Sequence, residues 1–234
     1  MKALLYKELK LAMHPICYVF IFTFPLMLLI PSYPIAVGFI YVLSCYPILF
    51  LGANKGQQSN DLLYTALLPV RKKDIVLARM MTVAIMQFVF MAMMACLFPL
   101  AYVIRDNIKV SAEEAGKLES LTDAGFGLDA FVSVLAFAII GFALADIIFF
   151  PIYYKHGKSI VMSTLFTILG FITYLGVFTI ALPLMFEPYK NFFSNNGSGI
   201  WIQFAFLGVA LLIYAIIHFF VYKISANRLE KVDF

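Results

Sequence analysis

AFVSVLAFAIIGFALADIIFFP, residues 130–151, holds one charged side chain, Asp146, in an otherwise apolar run. A helix needs about 20 consecutive apolar residues to cross the hydrocarbon core of a bilayer. Backbone N–H and C=O groups find no water there, so the run must bond internally as a helix. The stretch therefore predicts a membrane span over 129–151. Working outward, comparable runs lie at 16–31, 34–52, 78–104, 159–184 and 200–222. The expected fold is an all-α membrane protein, one transmembrane domain over 1–234 with six spans.

The bulk properties agree. Apolar residues make up 63% of the chain and charged residues 13%, with a mean hydropathy of +0.95. Soluble domains are about half apolar and a quarter charged, so a water-soluble globule is excluded. The basic balance, pI ≈ 8.9, does not read as nucleic-acid binding, because the cations fall in short loops beside apolar runs. With both termini inside, Lys2, Lys7, Lys10, Lys55, Arg71, Lys72, Lys73, Arg79, Lys155, Lys158, Lys223, Arg228 and Lys231 are cytoplasmic. Only Arg105, Lys109, Lys117 and Lys190 are left outside. That asymmetry predicts N-in, C-in topology. The outer loop 105–128 is acidic instead, with Asp106, Glu113, Glu114, Glu119 and Asp123.

The N-terminus has a basic start and an apolar continuation, as a signal peptide would, but no small-residue cleavage site follows. Leu4, Leu5, Leu9 and Ala12 recur at helical spacing, with Lys2, Lys7, Glu8 and Lys10 largely on the other face. Residues 1–14 thus read as an amphipathic helix in the membrane interface, and Pro15 bends the chain into the first span. Cys17, Cys45 and Cys96 lie in apolar runs without metal-ligand spacing and read as small buried hydrophobes.

The inner loop between spans two and three carries more information. Ser59, Asn60 and Asp61 are helix-capping types ahead of Leu62, Leu63, Tyr64, Leu67 and Leu68, an apolar helix of about two turns. Pro69 ends it, because the residue before proline is pushed out of helical geometry. Arg71, Lys72 and Lys73 follow, and Asp74 is placed to cap the next helix. An apolar surface beside a basic cluster fits either a protein partner or anionic membrane lipid.

The segment Leu62 to Arg79 resembles the first inner loop of ABC type-2 permeases, where Leu-Pro-Val/Ile, basic residues and Ile-Val-x-x-Lys/Arg follow one another. Pro151-Ile152-Tyr153-Tyr154-Lys155-His156-Gly157-Lys158 is similar to the family's second inner loop, and Met1 to Lys10 to its opening. The resemblance implies that residues 60–68 form a coupling helix docked in a separate cytoplasmic ABC ATPase. It also implies two permease copies, identical or paralogous, working with two ATPases in a bacterial cell membrane. The implied function is export of hydrophobic or amphipathic cargo: a lipid, a drug, or a peptide toxin of the phenol-soluble-modulin type. On that basis the ATPase-coupling residues are Asn60, Asp61, Leu62, Leu63, Tyr64, Leu67, Leu68, Pro69, Arg71, Lys72 and Lys73. Tyr154, Lys155, His156, Gly157 and Lys158 make the second inner loop. ATP and Mg would be bound by the partner ATPase, since this sequence has no Gly-x-x-x-x-Gly-Lys-Ser/Thr loop.

Other readings stand beside this one. A scaffold or sensor could recruit a cytoplasmic partner through the same loop, and a proton-driven carrier could use Asp146. Intramembrane acids are often functional, yet Asp146 reads first as an inner-interface acid paired with Lys155 or Lys158. Gly141 and Ala145 form a small-xxx-small pair for packing within the bundle. His218 reads as hydrogen-bonded or interfacial. Met80, Met81, Met86, Met91, Met93 and Met94 would suit a wall for apolar cargo but also serve as filler. Glu113-Glu114 lacks the downstream Arg of intramembrane CAAX-type proteases, and Asn195 to Gly199 is ordinary turn chemistry, so no enzyme is predicted.

Overall fold

A computed structural model of the chain describes residues 2–12, 15–26, 29, 70–107, 131–156, 160–185 and 200–231. Helix α1 (Lys2–Lys7) widens into a π-helical turn over Glu8–Ala12, and α2 follows (Pro15–Leu26). The long helices α3 (Lys72–Asn107) and α4 (Phe131–His156) come next. Helix α5 (Ile160–Leu175) passes through a π-helical stretch, Gly176–Ala181, into the single turn α6 (Leu182–Met185). The last is α7 (Ile200–Glu230). The described residues contain no strand.

Four helical segments are long and apolar enough to cross a membrane: Lys72–Ala101, Phe131–Lys155, Val161–Phe178 and Trp201–Glu230. They coincide with four of the expected spans. Helix α2 covers the first part of the expected 16–31 span. The expected span at 34–52, the coupling helix at 60–68 and most of the outer loop 105–128 lie outside the described residues.

The helices overrun the apolar runs that announced them. Helix α3 begins at Lys72 rather than 78. The Arg71 carbonyl accepts from the amides of Asp74 at 2.9 Å and Ile75 at 3.4 Å. Asp74, expected as the cap, sits inside the first turn, where its carboxylate still complements the helix dipole. Helix α4 continues through Pro151 to His156, and α7 runs past 222 to Glu230. Pro151 lies inside α4, and the Arg228 guanidinium of α7 donates to its carbonyl.

Contacts along the helices fix their directions. Arg79 of α3 meets Tyr153 of α4, and Lys73 of α3 meets Glu230 of α7, so α3 is antiparallel to both. The Arg228–Pro151 contact makes α4 and α7 parallel. Phe137 stacks on Tyr174, while a Cβ on Gly170 would touch Ile148, so α5 runs antiparallel to α4. The start of α3 and the ends of α4 and α7 therefore share one end of the bundle, with α1 beside them. Helix α4 is the centre: 72% of its span is buried, against 17% for α7.

The burial pattern is that of a bundle in lipid. On α7 the buried side chains Gln203, Ala210, Tyr214, Val221, Ser225, Ala226 and Leu229 recur at helical spacing, one stripe facing α4 and α3. Trp201, Ile202, Phe204, Leu212, Ile216, Phe219 and Phe220 point outward. The outside is thus as apolar as the core, and the polar side chains are inside. Met80, Met86, Met91 and Met94 are buried and act as core packing, while Met81 is exposed. Cys17 is buried as expected, whereas Cys96 lies on the bundle exterior.

The expected small-residue contact is a seat for aromatic rings. A Cβ on Gly141 would lie 2.8 Å from Phe171 Cε2 and 3.0 Å from Tyr174 Cε1. Tyr174 is pinned in turn by donating its hydroxyl to the Phe137 carbonyl at 2.9 Å. Overpacking a filled core costs on the order of 1–3 kcal/mol. Gly141→Leu should therefore lower the melting temperature of the purified protein. Gly208→Leu, where an added Cβ has nothing within 4 Å, should not; equal melting of the two variants would contradict this packing.

Candidate functional site

Two polar layers cross the apolar bundle. The first lies at the shared end. Glu8, on the π-helical turn after α1, is 6% exposed, and Arg79 of α3 is 4% exposed. Arg79 Nε lies 3.4 Å from Glu8 Oε2, and its Nη1 donates to Tyr153 Oη of α4 at 2.9 Å. Lys7 Nζ adds a 3.5 Å contact to Glu8 Oε1. The sequence pattern put Glu8 on the polar face of the first helix. Instead Leu4 and Glu8, one turn apart, share the inward face. Burying a carboxylate is feasible only because Arg79 meets it; each ion alone would cost several kcal/mol. The fully buried Tyr154 sits beside the same guanidinium.

The second layer lies deeper. Arg79 to Gln87 is about 12 Å along α3 at 1.5 Å per residue. Asp146 of α4 has no exposure at all. Gln87 Nε2 donates to its carboxylate, at 3.2 Å from Oδ2 and 3.4 Å from Oδ1. Tyr214 Oη of α7 donates to Gln87 Oε1 at 2.6 Å. His218 Nε2 of α7 approaches Asp146 Oδ2 to 3.1 Å. That contact is close enough for an ion pair but lacks hydrogen-bond alignment. His218 Nδ1 lies 3.1 Å from the Tyr214 carbonyl, one turn back on its own helix. The Tyr214 and His218 rings stack with centroids 3.9 Å apart. Three helices thus meet on one carboxylate.

Asp146 therefore lies inside the bundle rather than at its interface, against Gln87 and His218, and Lys158 lies outside the described residues. Lys155 is exposed at the end of α4, and the carboxylate is instead enclosed by α3 and α7. Tyr154 and His156 belong to helix α4 rather than to a loop, while Gly157 and Lys158 lie outside the described residues. Of the expected coupling residues, Asn60, Asp61, Leu62, Leu63, Tyr64, Leu67, Leu68 and Pro69 also lie outside them. Arg71 is exposed and caps α3, Lys72 opens it, and Lys73 pairs with Glu230 at 3.2 Å. Among the described residues no three His, Cys, Asp or Glu side chains converge as a metal site.

Sequence reasoning missed Glu8, Gln87, Tyr153 and Tyr214. A usable signal existed for Gln87, an amide in the middle of an apolar run. Tyr153 lies in the Pro151–Lys158 motif but nothing there singles it out, and no local pattern marks Tyr214, because tyrosine is common throughout the chain. Comparison with known protein families, curated proteins and solved structures finds no match to this chain.

Removing one partner of a buried ion pair costs about 3–5 kcal/mol. Arg79→Leu should therefore release the N-terminal helix from the bundle. The measurement is thiol labelling of a Cys introduced at the buried Leu4, above the background of the native cysteines. Labelling should rise several-fold in Arg79→Leu, and unchanged labelling would show that Glu8 does not hold the helix down.

Proposed function

We propose that this chain is the membrane-embedded subunit of an exporter powered by a separate cytoplasmic ATPase, with six spans and both termini inside. The observation that supports it best is helix α3. It is one unbroken helix of 36 residues, about 54 Å long and so longer than a bilayer core. Its first residues, Lys72 and Lys73, belong to the basic cluster that follows the apolar stretch 62–68 in sequence. It carries Arg79 of the first polar layer and Gln87 of the second. A force applied to the loop at 60–73 would reach both layers through a rigid element. ATP binding shifts a conformational equilibrium only through contacts that differ between the two states, and a stiff link from an ATPase groove to the bundle centre supplies such contacts.

In this reading Leu63, Tyr64, Leu67 and Leu68 fill the ATPase groove. Arg71, Lys72 and Lys73 face acidic residues on its rim, and the ATPase binds ATP and Mg. Two permease copies, identical or paralogous, enclose the pathway together with bound lipid. The cargo is hydrophobic or amphipathic: a peptide toxin, a lipid or a drug. The membrane is a bacterial cell membrane. A second reading draws on the buried Asp146 cluster, that of a carrier driven by protons without an ATPase.

Purification in gentle detergent followed by reconstitution separates the two. On the first reading an ATPase co-purifies, and flux of a fluorescent amphipathic peptide into inside-out vesicles requires ATP. Leu67→Glu should abolish at least nine-tenths of the co-purified ATPase while the permease itself still folds. Transport in vesicles holding this chain alone, without nucleotide, would favour the carrier instead.

A further inference from the structure

Helix α1 and the π-helical turn after it present two opposite faces. Leu4 and Glu8 are buried against the bundle, and Arg79 meets Glu8 there. Lys2, Tyr6 and Lys10 are exposed. Steps of four residues keep side chains on one side of a helix, so these three make a single strip. At about 100° per residue that strip points away from the Leu4 and Glu8 face. Lys10 Nζ lies 2.6 Å from Tyr6 Oη and 5.1 Å from the centre of its ring. That contact uses one ammonium hydrogen and leaves two for another acceptor. Among the described residues no carboxylate meets Lys2 or Lys10: Glu8 faces Arg79 and Lys7, and Glu230 faces Lys73.

The flanks of the strip identify its surroundings. Leu5 and Leu9, both half-buried, stand on one flank and Lys7 on the other. The Tyr18 hydroxyl of α2 donates to the Leu9 carbonyl, which joins the π-helical turn to the start of α2. Beyond that point Val19, Phe22 and Leu26 of α2 are exposed and apolar. The strip therefore runs along the border between an apolar outer surface and the charged end of the bundle. In a membrane that border is the headgroup layer, where tyrosine is enriched and lysine lays its stem along apolar surface with the ammonium in the polar phase. We propose that Lys2, Tyr6 and Lys10 form a binding site for the headgroups of anionic phospholipids. The two ammonium groups meet phosphate oxygens, and Tyr6 steadies Lys10. The lysines stand about 12 Å apart along the helix, so the strip spans neighbouring headgroups. The ion pair behind it, Glu8 with Arg79, keeps the strip turned outward. The site rests on the chain's place in a membrane and holds whether or not an ATPase drives transport.

Native mass spectrometry of the full chain in detergent micelles, titrated with dioleoylphosphatidylglycerol or dioleoylphosphatidylcholine, tests the site. The anionic lipid should bind more tightly than the zwitterionic one. Lys2→Gln/Lys10→Gln should weaken phosphatidylglycerol binding about tenfold, and Lys2→Arg/Lys10→Arg, which keeps both charges, should leave it within about twofold. Lys155→Gln/Lys223→Gln removes two other exposed lysines and should also leave it within about twofold. Where the Lys2 and Lys10 pair of Gln substitutions does not fold, each single substitution must weaken binding about threefold. Unchanged binding in Lys2→Gln/Lys10→Gln would overturn the site. So would an equal loss in Lys155→Gln/Lys223→Gln, which would make the attraction general to the basic end. Displacement of the lipid by millimolar inorganic phosphate would assign the strip to a free anion and overturn it too. Loss of a co-purifying acidic protein from Lys2→Gln/Lys10→Gln, with lipid binding intact, would assign it to a protein partner instead. ATP dependence of transport is measured separately, so failure here leaves the proposed energy source untouched.

Discussion

A carboxylate in the middle of a lipid-facing bundle constrains everything packed around it. Asp146 is enclosed on α4, and no water replaces a missing partner at that depth. Its partners must come from other helices, and they must arrive at one height. Gln87 fixes the height of α3 and His218 that of α7. Apolar packing alone would tolerate sliding, since Leu, Met and Phe surfaces fit one another in many registers. The polar contacts turn a generic apolar bundle into a specific one, a role that buried polar groups fill in other helix assemblies.

The same rule explains the end of the bundle. Glu8 reaches the interior only as the counter-ion of Arg79, and Arg79 is held from the other side by Tyr153. The N-terminal helix is thereby tied to α3 and α4, while Arg228 and Glu230 tie α7 to the same end. Basic side chains gather there on α1, α3, α4 and α7, and this is the end that the Lys/Arg asymmetry of the sequence assigns to the cytoplasm.

The apolar runs made the existence and rough position of four long helices legible, because a bilayer core sets a minimum length that few other structures need. Their ends were less legible. Hydropathy marks where a helix leaves the apolar phase, not where its hydrogen bonds stop, and so Lys72, His156 and Glu230 fall outside the predicted spans. The site was half legible. Asp146 stood out as an acid in an apolar run, but its partners are 59 positions away at Gln87 and 127 positions apart between Gln87 and Tyr214. Helical periodicity reports which residues share a face of one helix. It carries no information on which face of another helix is opposite, so the sequence points to Lys155, near in the chain, rather than to Gln87 or His218. Glu8 was misplaced for a related reason. Charge suggested the outer face, and only the presence of Arg79 makes the inner face affordable.

Gln87 joins Asp146 to Tyr214 directly, so α3, α4 and α7 are held at one height by a single chain of side-chain contacts. Much of the outer face of α7 is apolar, and lipid tails pack against such a surface without fixing where a helix stands along its axis. What sets the relative heights of these three helices is therefore concentrated in this one buried cluster.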